Sequence, residues 1–273
     1  MARRVAVYYD PIQLDRNQFF LSSLVAAGGV VGVDVVPIVG SDALRATDVA
    51  RIDVIIVRSR SLRERLWLKQ RVPRVVNSPL LAMLGNDKLA QYLWAQRQGI
   101  LTPPLYLPGA IGSAWVRKPR WGHGGRSVEL MRDHGWFSWT SAMLAQAYLP
   151  EAWRDRRHYV VGREIVATVE RLATDGMHSN VAMGASARRV RASDDEYRFV
   201  KTIIGLLGPG YYGVDVCTGP DGPVLMEIED VVGSRALYAL GHRDHALSVM
   251  RWACDDPNEG ADPQLEVEPP SDR

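Results

Sequence analysis

The stretch Gly213 to Asp230, GVDVCTGPDGPVLMEIED, sets acidic residues inside runs that otherwise read as buried strand. Gly219-Pro-Asp-Gly-Pro223 fits a three-residue hairpin loop, with Pro220 at the first turn position and Gly222 supplying the left-handed residue. Gly219 then stands opposite Pro223, Asp215 opposite Glu227 and Gly213 opposite Glu229. Side chains alternate along a strand, so Asp215, Glu227 and Glu229 share one face. Val214, Val216, Met226 and Ile228 share the other. A four-residue loop would instead put Asp215 and Glu227 on opposite faces. Directly opposed Cβ atoms lie about 4.5–5.5 Å apart, and like charges there destabilise. Such a cluster calls for protonation, arginines or divalent cations. The chemistry is that of an oxygen-donor metal site, and the alternative is a solvated acidic edge. Mutual repulsion predicts that all three pKa values rise in the metal-free protein.

A second set of residues points toward phosphate. Only Lys69, Lys88, Lys118 and Lys201 are lysines among 33 basic residues. A coding bias toward arginine explains the scarcity, yet the lysines that remain mark places suited to a compact ammonium. Lys118 ends the strand-like Ala114–Lys118, sharing a face with Ala114 and Val116. The loop after it holds Gly122, Gly124 and Gly125, and glycines let the backbone approach a phosphate closely. No GxxxxGK[ST] is present, and a long Gly-rich hairpin tip is the plainer reading of the loop alone. A strand-end lysine, a Gly-rich flap and a carboxylate face together suggest a nucleoside triphosphate with magnesium.

The elements that must carry these residues follow from local pattern. Arg4–Tyr9, Val33–Val39 and Asp53–Val57 read as strands and Phe19–Ala27 as a helix stopped by Gly28-Gly29, with Val72–Val76 as a further strand. This is a small α/β layer with parallel strands. Ser78-Pro79 starts a helix that breaks at Gly85. Asn86-Asp87 restart another, which stops at Gly99, and Pro103-Pro104 mark a linker. Farther on, Ser141–Leu149 reads as helix passing into an extended segment, and Gly162 sits between two strands of a hairpin. Helices are expected near Asp194–Leu207 and His242–Cys254.

Gross properties exclude several classes. Net charge is +2 over 273 residues, which gives no basis for general nucleic-acid binding. No apolar run approaches the roughly 18 residues of a membrane span. The start, MARRVAVYYD, reads as a first strand rather than a signal peptide. Cys217 and Cys254 lack metal-ligand spacing. These features favour a cytoplasmic protein.

In order and spacing, the motifs resemble the ATP-grasp superfamily and, within it, the RimK-like amino-acid ligases. The resemblance runs from about residue 77 to 252. It rests on Asn77, Asn86-Asp87-Lys88, Gly99-Ile-Leu-Thr-Pro103, Val116-Arg-Lys-Pro119 with the Gly-rich loop, and Ala145-Gln-Ala-Tyr-Leu149. It continues through Asp155-Arg-Arg157, Val160-Val-Gly162, Arg171, Asn180, Gly213-Val-Asp215, Glu227-Ile-Glu229 and Gly233. It implies an α/β and α+β architecture, the ATP-grasp fold. An N-terminal α/β pre-ATP-grasp domain (1–85) would precede a small lid (86–145) and a C-terminal α+β subdomain (146–254), with 255–273 a disordered tail. ATP would lie between the last two folded parts.

By position, the resemblance implies that Lys88 and Lys118 contact the phosphates and that the loop with Gly122, Gly124, Gly125 and Ser127 closes over them. It puts adenine on the backbone of Gln146, Tyr148 and Leu149, with Glu151 at the ribose. Asp215, Glu227 and Glu229 would bind magnesium, with manganese the alternative, and Arg157, Arg171 and Asn180 would line the reacting phosphate and carboxylate. Glu229 stands where the family has Asn, Val232 where it has Pro, and Gly184-Ala185 where a Gly pair is usual. The implied reaction joins a small-molecule or peptide carboxylate to an amine through an acyl phosphate, releasing ADP. A dimeric or tetrameric homo-oligomer is compatible with it. Outside the motif, Arg157 and Arg171 read as partners for surface acids, the usual fate of an arginine. A phosphotransferase and a non-catalytic nucleotide-binding module remain the competing functions.

Overall fold

The computed structural model describes residues 3–122, 127–132, 135–138, 142–149, 154–172, 186–219 and 222–255. In chain order its first elements are β1 (Arg4–Tyr9), α1 (Pro11–Val31), β2 (Asp34–Val39), α2 (Ser41–Ala46), β3 (Val54–Val57), α3 (Leu62–Lys69) and β4 (Arg74–Val76). The strands form a parallel sheet in the order β2-β1-β3-β4. Both faces of this sheet are covered, which is why β3 reads as an uninterrupted apolar run. Helix α1 is longer than its pattern suggests. Asp10 caps it through Gln13 N at 2.8 Å, Gly28 and Gly29 lie inside it, and the left-handed Gly32 ends it.

Two helices lead into the rest of the chain: α4 (Pro79–Asn86), capped by Ser78, and α5 (Lys88–Arg97), capped by Asp87. Gly85 does not break α4. It is buried in the helix, where a Cβ would fall 2.5 Å from Asp230 N and 2.6 Å from Asp230 Cβ. The glycine lets α4 lie directly on the backbone that follows the carboxylate strand. We expect Gly85→Ala to lower the thermal unfolding midpoint by several degrees, corresponding to about 1–3 kcal/mol for overpacking against backbone that cannot rotate away. A shift below one degree would show that α4 can move.

The lid comprises β5 (Gly109–Ile111), β6 (Trp115–Pro119), β7 (Glu129–Met131), β8 (Gly135–Phe137) and β9 (Met143–Ala147). They pair as a three-stranded sheet, β7-β6-β9, and a two-stranded one, β5-β8, around Ile111, Trp115, Phe137 and Ala145. Strand β9 corrects the expected helix over Ser141–Leu149. Its Met, Leu, Ala and Gln favour helix locally, but β6 pairs with one edge and the Pro104–Tyr106 segment with the other. Tertiary pairing overrides the local preference.

A five-stranded antiparallel sheet, ordered β12-β11-β10-β13-β14, carries the acidic residues. Its strands are β10 (Arg154–Gly162), β11 (Glu164–Leu172), β12 (Ser186–Val190), β13 (Gly210–Gly219) and β14 (Gly222–Glu229), with α6 (Asp194–Leu207) inserted before β13. The chain continues through α7 (Arg235–Ala239) and α8 (His245–Cys254). One face of this sheet packs Val160, Val214, Val216, Leu225 and Ile228 against α4, α5 and α6. The other face joins Tyr159, Val169 and Tyr211 to Val5, Phe20 and Ile56 of the N-terminal layer. No helix among the described residues is long and apolar enough to cross a membrane.

The β13–β14 register pairs Asp215 with Glu227 and Gly213 with Glu229, as expected, but by a different route. Gly219 pairs with Gly222, so the loop is two residues rather than three, and a bulge beside Asp215 and Val216 inserts one residue. The bulge brings Leu225 rather than Met226 opposite Val216, and Leu225 is buried while Met226 is half-exposed. The short loop and the inserted residue cancel, and the acidic register is unchanged beyond the bulge.

Candidate active site

The shared face predicted from the hairpin exists. Asp215, Glu227 and Glu229 each offer a carboxylate oxygen, and these atoms lie within 4.8 Å of one another. Neighbouring cations hold them together. Arg157, opposite Asp215 on β10, forks onto it at 2.7 and 2.6 Å and reaches Glu229 at 2.6 Å. Arg171 on β11 bridges Asp155 at 2.5 Å and Asp215 at 2.7 Å. Lys88, at the start of α5, contacts Glu227 at 2.9 Å and donates to the Gly122 carbonyl.

These partners overturn the expectation that all three carboxylates titrate high. Burial pushes Asp215 up, but Arg157 and Arg171 outweigh it and hold the group well below the usual carboxylate range. Glu227 is likewise pushed up by burial and pulled below its ordinary value by Lys88. Glu229 alone of the three is raised: burial dominates, and Asp215 and Glu227 add to it against Arg157. Arginine is thus the main compensation in this protein, as one of the options for the cluster allowed. The donors are hard oxygens on neighbouring strand positions, a set that suits magnesium or manganese.

Lys118 lies deeper, 6% exposed, at the end of β6. Its ammonium donates to Tyr92 Oη at 2.8 Å, and Tyr92 donates to Gln146 Oε1 at 2.6 Å. Burial lowers the Lys118 pKa to about 8, with Glu227 opposing the shift. This chain joins the lid lysine to the expected adenine strand through a tyrosine that motif reading passed over. The available signal was spacing: Tyr92 stands four residues after Lys88, on the same face of α5. Tyr148 and Leu149, which follow β9, are half-buried. Arg120 pairs with Asp87 through both carboxylate oxygens at 2.7 and 2.6 Å, tying the base of the Gly-rich loop to the α5 cap. Ser127, at the far side of that loop, has φ of 58°. Gly124, Gly125, Glu151 and Asn180 lie outside the described residues.

A buried set of polar side chains adjoins the acidic strand β14. Asp230 follows Glu229 directly and pairs with Arg65 at 2.9 Å, both side chains fully buried. Asn77 donates to Asp230 Oδ1 at 2.8 Å and to the Tyr211 carbonyl at 2.7 Å, so this motif residue ties β4 to the carboxylate hairpin.

The fold is that of ATP-grasp proteins. A RimK-domain ATP-grasp protein from Sphaerobacter thermophilus superposes with a TM-score of 0.65 at 20% identity, covering 92% of this chain and 100% of that one. D-Alanine–D-alanine ligase from Bacillus anthracis, complexed with ATP, gives a TM-score of 0.70 at 14% identity, covering 92% and 96%. More particularly, residues 124–252 match the family model of the RimK-like ATP-grasp domain. Among curated relatives, a probable alpha-L-glutamate ligase from Saccharophagus degradans is 33% identical over 112 residues, 40% of this chain and 37% of that protein. The chain therefore spans little more than a third of the length of this relative.

Proposed function

We propose that the protein is an ATP-dependent carboxylate–amine ligase that forms an amide or peptide bond and releases ADP and phosphate. The observation that carries this reading is the convergence of Asp215, Glu227 and Glu229 within 4.8 Å, flanked by Lys88 and backed by Lys118, in a protein of ATP-grasp fold. A substrate carboxylate oxygen attacks the γ-phosphorus, the bond to the departing ADP oxygen breaks, and an acyl phosphate results. The amine then attacks the acyl carbon and phosphate leaves. Phosphoryl transfer of this kind needs positioning and charge neutralisation more than covalent help from the protein.

In this reading Lys88 and Lys118 hold the phosphates, and the loop between Gly122 and Ser127 covers them and excludes water. The backbone from Gln146 to Leu149 takes adenine. Asp215, Glu227 and Glu229 hold magnesium, which when bound neutralises charge on the phosphate oxygens. Arg157 and Arg171 fix Asp215 and present guanidinium edges to the reacting groups. The alpha-L-glutamate ligase relative supports an amino acid such as glutamate as the amine.

ADP release that requires both an acid and an amine is the expected result of a coupled assay with ATP and magnesium. ADP release with a hydroxyl compound alone, or nucleotide binding without turnover, would overturn the ligase reading. Lys118→Met is the accompanying test of the nucleotide site. It should weaken ATP binding by roughly 2 kcal/mol, the worth of a charge-assisted contact. It should not weaken the fold, because it removes a desolvated charge. The free ammonium loses its proton as pH rises through about 8. Phosphate favours the charged form, so calorimetry above that pH should record proton uptake on nucleotide binding in the parent and none in the variant.

A further inference from the structure

Strand β14 is the last of its sheet: β13 pairs with one edge, and among the described residues no strand pairs with the other. Helix α5 takes that place. Gln91, 1% exposed, accepts from Ile228 N through Oε1 at 2.7 Å and donates from Nε2 to the Met226 carbonyl at 3.5 Å. A side-chain amide thus meets the strand as a neighbouring peptide unit would, with one acceptor and one donor. The two backbone groups it meets belong to the residues on either side of Glu227. The rest of α5 that packs into this core is apolar, through Ala90, Trp94 and Ala95. A buried amide in that company is unfavourable unless its hydrogen bonds are made, and Gln91 makes them to β14.

The grip falls on the bulge. Val216 pairs with Leu225 and Asp215 with Glu227, so Met226 is the extra residue. Without it, counting from the Gly219–Gly222 pair would bring Met226 opposite Asp215 and turn Glu227 to the apolar face. Gln91 also shares a face of α5 with Lys88, three positions earlier, and lies next to Tyr92. Lys88 contacts the Glu227 carboxylate and Tyr92 accepts from Lys118. One turn of helix therefore holds the Glu227 side chain, the backbone around it and the lid lysine.

We propose that Gln91 is a positioning residue for Glu227: it holds the backbone on both sides of that carboxylate and keeps it on the metal-binding face beside Asp215 and Glu229. This rests on the metal assignment within the ligase reading and deepens it. Gln91 acts through the strand and touches neither nucleotide nor metal.

Calorimetry with a non-hydrolysable ATP analogue tests it, in the presence of a chelator and again with Mn2+. Gln91→Met keeps the length of the side chain and leaves Ile228 N–H buried without its acceptor. With chelator, parent and variant should bind the analogue alike. With Mn2+, the variant should bind it about 10–100-fold more weakly than the parent, the range for losing a group that orients a metal ligand. Leu44→Ala is the control for lost stability alone. Leu44 is buried in the separate core of the N-terminal layer, and its truncation should leave both affinities as in the parent. Equal affinities of Gln91→Met and parent with Mn2+ overturn the proposal. So does a loss of the same size in chelator, or one shared by Leu44→Ala. Should Gln91→Met not fold, Gln91→Asn, shorter by one methylene, is expected to show the same metal-dependent loss. If neither folds, Gln91 is a structural residue and the proposal fails. A parent whose affinity for the analogue ignores Mn2+ overturns the metal assignment and this proposal together. If the parent responds to Mn2+ but no acid–amine pair releases ADP, the ligase reading fails alone, and the comparison of affinities still decides the role of Gln91.

Discussion

Asp215→Asn is expected to lower the free energy of unfolding by about 3–5 kcal/mol, the cost of removing one partner from a buried charge pair. Asp215 is 4% exposed and receives two guanidinium donors from Arg157 and one from Arg171. An amide keeps the shape but drops the charge, and it turns one acceptor into a donor facing two arginines. The two guanidiniums would then stand close together without the carboxylate that separates their charge. Urea denaturation in the presence of a chelator measures the loss without interference from bound metal. The pH dependence follows from the depressed pKa. A carboxylate held below its unfolded value contributes stability that is present above about pH 4, the unfolded aspartate pKa, and is lost as pH falls toward the folded value. The parent should therefore lose stability on acidification below about pH 4 more steeply than Asp215→Asn does. A loss under about 1 kcal/mol at neutral pH would show that Arg157 and Arg171 find other partners, and that Asp215 is not the centre of the cluster.

The acidic face was legible in the hairpin because strand alternation is a local rule, and pairing counted from a turn carries it across two strands. It was right for a partly wrong reason. The loop is one residue shorter than its Pro-Asp-Gly pattern suggests, and the bulge beside Asp215 restores the count. Nothing in GVDVCTGPDGPVLMEIED marks Met226 as the extra residue, since a bulge is settled by how Leu225 packs against the core on α4 to α6. Two of the four lysines, Lys88 and Lys118, lie near Glu227 on the acidic face. What local pattern could not show is who neutralises the acids. Arg157 meets Asp215 across 58 positions of sequence and Arg65 meets Asp230 across 165. Arginine is so common in this chain that no single one stands out by type. Strand β9 failed for the converse reason: its local signal was strong and tertiary pairing overrode it.

Glu227→Gln should reduce turnover about 100-fold or more at saturating ATP, acid and amine, whereas Glu229→Asn should stay active with a changed magnesium requirement. The two residues sit on the same strand face, but their environments differ. Glu227 is held below its ordinary pKa with Lys88 beside it, so it brings a full negative charge to the site. Glu229 is raised, because burial and the like charges of Asp215 and Glu227 outweigh Arg157. The charge of Glu229 is therefore less favoured than that of Glu227, and an asparagine in its place still offers an oxygen donor. Glu229→Asn also leaves Arg157 held by both oxygens of Asp215, so the guanidinium keeps its place. Removing the charge of Glu227 leaves Lys88 without its carboxylate and deprives the phosphate side of a hard anionic donor. Initial rates across a magnesium titration separate the cases. Glu227→Gln should show a depressed plateau that excess metal does not restore. Glu229→Asn should reach a plateau near that of the parent at a different metal concentration. The reverse order, with Glu227→Gln tolerated and Glu229→Asn inactive, would move the metal site away from the Asp215–Glu227 pair. It would leave the acidic face as an internal counter-ion for Arg157 and Arg171, a structural role that the hydrogen bonds alone satisfy.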